Sequence, residues 1–184
     1  MIGYGNHETS IIKHQEIDVI QRFCYGLNIE AGANIVPGGY GGWIVISFAS
    51  KNSNRNAWFR IKYHHGYGGG GPVTKGTIQH NRFATMVEGA DLIWFGHVHE
   101  DYEVTYSTEF LHYAGGYNVK HRNITMLRTS TYKDEFDDGS KGFHIERGRG
   151  PKFIGGRWLE LEPIREIKDG SDRVHIYSRT YRTF

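Results

Sequence analysis

Residues 92–95, Leu-Ile-Trp-Phe, place four apolar side chains in a row. The run is too short for a helix and lacks the alternation of a strand with one wet face. Such a run marks a strand covered on both sides, typical of parallel sheets with helices packed on each face. The chain is therefore expected to be an α/β domain in which this segment is a strand buried on both faces. Gly96-His97-Val98-His99 follows at once, so the strand delivers two imidazoles at its carboxyl end.

Other segments fill in around it. Apolar residues Ile17, Ile20, Cys24 and Leu27 recur at spacings of three and four, which predicts a helix over 11–27 after the capping pair Thr9-Ser10. Strands are expected at 1–4, 28–36, 43–49 and 58–63, with breaks at Pro37-Gly38-Gly39 and at the polar run 50–56. Residues 74–89 read as a helix with Ile78, Phe83, Met86 and Val87 inward and a closing glycine. Further strands are expected at 103–107, 123–132, 158–162 and 173–183. A single domain over 1–184 results, with a motif-bearing part over 1–102 and a sheet-rich part over 103–184.

Three histidine motifs each sit just past a predicted strand: Asn6-His7, His64-His65, and His97 with His99. In open α/β sheets functional groups collect at the carboxyl ends of strands, so three such ends predict one polar crevice. Neutral imidazoles with a side-chain carbonyl oxygen suit borderline divalent ions such as Mn, Fe, Zn or Ni. Glycines number 25 and cluster at 38–42 and 66–76, against a usual share of about 7%. These clusters mark turns, and Gly68 to Gly71 is a candidate phosphate cradle of backbone amides. Lys75 and Arg82 are candidate phosphate contacts beside it. His80, His112, His121, His144 and His175 have no spacing that suggests a shared ion and are expected to be structural.

The order Gly5-Asn6-His7-Glu8, then His64-His65-Gly66, then Gly96-His97-Val98-His99 resembles the last three of five motifs of the calcineurin-like metallophosphoesterases. Residues 132–133 and 144–156 are similar to the tails of bacterial and phage members. The resemblance implies an α/β sandwich of two mixed sheets flanked by helices, its N-terminal strands and helices missing. It implies that Asn6, His64 and His97 ligate a second metal, with His65 the alternative to His64, and that His99 ligates a first. His7 would act on the leaving group, and Glu8 would orient its ring.

No Asp-x-His occurs in the chain, so the family's bridging carboxylate and remaining first-metal ligands have no counterpart. Two-metal hydrolysis of a phosphomonoester or phosphodiester is the expected activity, with an upstream segment or partner chain supplying those ligands. The rival expectation is a non-catalytic remnant that binds an ion, a partner or nucleic acid. From residue 141 onward ten Lys/Arg face six Asp/Glu, and Arg147, Arg149, Lys152, Arg157 and Arg173 are candidate nucleic-acid contacts and make a nuclease one form of the expected activity. No stretch approaches the roughly 20 apolar residues that span a bilayer, and no signal-peptide pattern opens the chain. The lone Cys24 cannot form an internal disulfide, which fits a reducing, cytoplasmic setting.

Overall fold

A computed structural model describes residues 1–49, 56–113, 115–136, 139–168 and 171–183. In chain order they form α1 (Asn6–Gln15), α2 (Val19–Ala31), β1 (Gly41–Ala49), β2 (Asn56–His64), α3 (Thr77–Ala84), β3 (Leu92–Phe95), β4 (Tyr102–His112), β5 (Asn118–Arg128), α4 (Phe143–Glu146), β6 (Arg157–Lys168) and β7 (Ser171–Arg182). Of the expected polar run 50–56, residues 50–55 lie outside the described residues and Asn56 opens β2.

The apolar run at 92–95 is the central strand. β3 runs parallel to β2 on one side and to β5 on the other, within a mixed sheet of order β1-β2-β3-β5-β4. Its alternate side chains feed two clusters. Leu92 joins Phe59, Ile61 and Leu127 on the face covered by Leu159, Leu161 and Ile176 of the β6-β7 hairpin. Ile93 and Phe95 join Ala90 and Met126 on the opposite face, against Phe83, Ala84 and Val87. Leu92, Ile93 and Phe95 are each no more than 1% exposed, and burying each contributes roughly 1.5–3 kcal/mol. The strand that ends on the His97 turn is thus the most firmly seated one.

The architecture is α/β with one mixed five-stranded sheet and a two-stranded antiparallel hairpin. The second layer is therefore smaller than a second mixed sheet. Several local expectations are corrected. The helix expected over 11–27 is two helices, because Glu16 turns left-handed (φ 57°) and Asp18 recaps the chain by accepting the Gln21 N–H at 2.8 Å. The strand expected at 28–36 does not form. Instead α2 continues to Ala31 and stops at left-handed Gly32, and the Asn28 side chain brackets the next loop by bonding both Ile35 O and Ile35 N–H. The strand at 1–4 shrinks to a bridge between Ile2 and Pro37. The helix expected over 74–89 is shorter, Thr77–Ala84; Phe83 and Val87 pack inward as expected, but Ile78 and, beyond the helix end, Met86 are 45% and 70% exposed. Cys24 is buried on α2.

Candidate metal centre

The sheet register brings two histidine loops together. β2 and β3 are parallel with His64 opposite Phe95, so the next residues, His65 and Gly96, leave the sheet side by side, and Gly96 N–H bonds His65 O at 3.1 Å. The loops can approach this closely because residue 66 is glycine. A Cβ there would lie 2.9 Å from Gly96 O and 2.9 Å from the His97 Cβ, and its φ of 105° is a glycine conformation. Gly5 plays a similar part from below: a Cβ there would stand 3.0 Å from the His65 ring. It N-caps α1, so Asn6 opens the first turn of that helix directly against His65.

Three donor atoms meet as a result. His65 Nε2 lies 2.9 Å from Asn6 Oδ1 and 3.1 Å from His97 Nδ1. One imidazole nitrogen carries either one proton or one lone pair, so it can make one good in-plane hydrogen bond and not two. A cation resolves the conflict, since all three atoms can point lone pairs at it. Ligands about 2.1 Å from one ion at tetrahedral or octahedral angles stand roughly 3.0–3.4 Å apart, close to the spacing here. Burial, and then the neighbouring His97, hold the His65 pKa down to about 4. It is therefore neutral at pH 7, the form that ligates.

His65, and not His64, occupies this position. The His64 ring turns into an aromatic nest of Tyr40, Tyr67, Phe83 and Phe95 at centroid distances of 5.2–5.9 Å, and its Nδ1 accepts the Gly66 N–H at 2.9 Å. The structure thus brings His65, the alternative to His64, to Asn6 and His97, and the His64 ring supports the loop from behind. Glu8 also differs from expectation. Its Oε2 accepts the Gly5 N–H at 2.9 Å, which is a helix cap, rather than meeting the His7 ring. His7 itself lines the cleft beside Asn6.

The second imidazole of the turn faces a different set of partners. His97 and His99 both have left-handed backbone, at φ 72° and 57°, a conformation unusual for residues other than glycine and concentrated at functional sites. The turn splits their rings apart. His99 Nδ1 lies 3.8 Å from Glu135 Oε2, and His144 Nε2 lies 3.2 Å from the same oxygen. Burial lowers the His99 pKa, with Glu135 opposing it. His144, expected to be structural, is thus beside His99, as is Glu135.

Both groups open into one cleft of about 710 Å³, which is also lined by Gly68, Gly69, Gly70, Lys133 and Arg149. No protein-family profile, curated protein or solved structure matches the chain. Of the basic residues singled out in the tail, Arg149 lines the cleft, whereas Lys152 is paired with Glu100 and Arg157 with Asp101. Those last two are fasteners of the fold. Lys75 and Arg82 do not line the cleft. Glu135 and His144 were beyond reach of spacing arguments, since 36 and 45 residues separate them from His99. No local sequence signal pairs them.

Proposed function

We propose that the cleft is the centre of a metal-dependent phosphoesterase that hydrolyses a phosphomonoester or phosphodiester. The observation that carries the reading is the convergence of Asn6 Oδ1, His65 Nε2 and His97 Nδ1 at spacings of 2.9 and 3.1 Å. These three residues would hold a divalent cation of the Mn, Fe, Zn or Ni class, and the cation supplies charge stabilisation for a phosphoryl group. Around it the chain offers what a phosphate needs. The first turn of α1 presents backbone amides next to Asn6, and Gly68 to Gly70 can approach an anion closely. His7, beside Asn6, is placed to give a proton to the departing oxygen. The cationic side chains Lys133, paired with Glu135, and Arg149 also line the cleft, compatible with a nucleic-acid substrate.

Among the described residues Glu135 is the one carboxylate lining the cleft. It stands with His99 and His144 rather than between His97 and His99. A carboxylate that bridges two ions therefore comes from an upstream segment or a second chain in this reading. The same observation favours the alternative of a non-catalytic ion-, partner- or nucleic-acid-binding domain.

Turnover of a chromogenic phosphodiester with added Mn(II) separates the two. Hydrolysis that disappears in His65→Ala supports the phosphoesterase, whether the chain needs an upstream extension or not. No turnover, with or without an upstream extension, sinks it and leaves the binding domain.

A further inference from the structure

We propose that His99 of the turn after β3, Glu135 and His144 of α4 form a second cation site for a divalent first-row transition ion. The inference goes beyond the phosphoesterase reading, because it rests on the three side chains and holds whatever chemistry the cleft performs. It also differs from what the family resemblance implies, in which His99 depends on residues upstream of Asn6.

Three observations carry it. First, one ligand atom from each residue lies within 4.8 Å of the others, with the imidazole nitrogens 3.2 and 3.8 Å from Glu135 Oε2. Ligands of one such ion stand roughly 3.0–3.4 Å apart, so closing the set around an ion takes side-chain shifts on the order of an ångström. Second, Glu135 Oε2 is buried with no hydrogen-bond donor in place, in a side chain only 8% exposed. A buried carboxylate oxygen left in this state is costly unless something cationic faces it. Its other oxygen, Oε1, is taken by Lys133, which fixes the carboxylate so that Oε2 points at the two rings. Third, the site is graded from closed to open. His144 is 2% and Glu135 8% exposed, whereas His99 is 34% exposed and lines the cleft. An ion held by a buried pair and an open third ligand keeps free positions toward the cleft, the arrangement of reactive rather than structural sites.

Two imidazoles and one carboxylate suit Mn(II), Fe(II), Co(II) or Zn(II), and disfavour Mg(II) and Ca(II), which prefer oxygen ligands throughout. The simpler account is that His144 and Glu135 form an ordinary ion pair and His99 is adjacent by chance. In that case the cluster responds to protons and not to metal.

Co(II) titration of the chelator-treated chain decides between them, read by visible absorption and by ions bound per chain. The wild type is expected to bind two ions. Glu135→Gln, which keeps size and removes the anionic oxygen, should bind one, with the lost site weakened at least about ten-fold, the lower limit seen even for loss of an outer ligand partner. His65→Ala should lose the other ion and keep this one. If Glu135→Gln fails to fold by circular dichroism, His99→Ala at the open side of the site replaces it. Unchanged Co(II) binding in the folded variant, or a wild type that binds no ion sensitive to Glu135 or His99, overturns the proposal. A chain that binds this ion and hydrolyses no phosphodiester leaves the proposal standing and removes the phosphoesterase reading.

Discussion

Replacing Gly66 by alanine tests the proposed metal centre through backbone alone, without touching a proposed ligand. The added Cβ would stand 2.9 Å from both Gly96 O and the His97 Cβ, where ordinary contact begins near 3.4 Å. The two loops must therefore separate by about 0.5 Å, since neither obstacle is a flexible side-chain end. That displacement acts along the line that sets the 3.1 Å spacing of His65 Nε2 and His97 Nδ1. It pulls one ligand out of reach of an ion held by the other two. Two costs follow. Alanine at φ 105° adds strain of roughly 1–3 kcal/mol, and the clash adds a further 1–3 kcal/mol, as overpacking does. Gly89→Ala is the control, because Gly89 has φ 88° and nothing within 4 Å of a built Cβ. It incurs the strain without the clash. Urea unfolding of the metal-free proteins should show Gly66→Ala losing more stability than Gly89→Ala. Co(II) binding at the Asn6, His65 and His97 group should weaken about ten-fold or more in Gly66→Ala, and stay within two-fold of wild type in Gly89→Ala. Equal stability loss and equal affinity in the two variants would refute the claim that this glycine sets the approach of the loops.

Other outcomes follow from particular contacts. His80 is fully buried, stacks on Phe95 at 4.4 Å and 10°, and is held by burial, then by Arg128, at a pKa of about 3. Its folded pKa is depressed below that of the unfolded chain, so the unfolded chain takes up the proton first. Stability is complete above about pH 6.5 and is lost as pH falls toward 3. His80→Phe should remove about one proton from the slope of stability against pH between 6 and 4, and coincident slopes would contradict this. Asp101 is 4% exposed and holds Arg157 through Nε at 2.7 Å and Nη2 at 3.0 Å, and Arg182 through Nε at 2.6 Å. Asp101→Ala leaves the 8%-exposed Arg157 without this partner and should cost about 3–5 kcal/mol in urea unfolding; a loss below 1 kcal/mol would mean the pair is replaceable. If the cleft hydrolyses phosphodiesters, His7→Ala should lower kcat by about 10²–10⁴ with little change in Co(II) binding, and a variant that loses the ion instead would make His7 a ligand.

The central strand was legible in the sequence because its signal is local: four consecutive apolar residues admit few other placements. Its neighbours were legible for the same reason, and so was the appearance of Asn6, a His64-His65 residue and His97 at adjacent element ends. The choice between His64 and His65 was not legible. It depends on which ring the strand β2 turns toward Tyr67, Phe83 and Phe95, a matter of tertiary packing. The break at Glu16 was hidden because the apolar spacing continues through Ile17 and Ile20 as if one helix ran on. The failure of the 28–36 strand has a similar origin. Asn28 reads as a strand residue in an apolar context, whereas its side chain acts as a substitute ladder for Ile35. Glu135 and His144 escaped notice because long-range convergence leaves no periodic trace.

The left-handed turn carrying His97 and His99 has a mechanical consequence. Val98 between them is 6% exposed, so the turn is pinned at its middle while its two ends carry donors for different ligand groups. If both groups hold an ion, settling one imidazole restrains the short backbone segment that carries the other. Ions at the two groups are then expected to load cooperatively, each tightening the other by the same factor, as linkage requires. Comparing Co(II) affinity at one group with the other intact and with it removed by substitution would measure that factor directly.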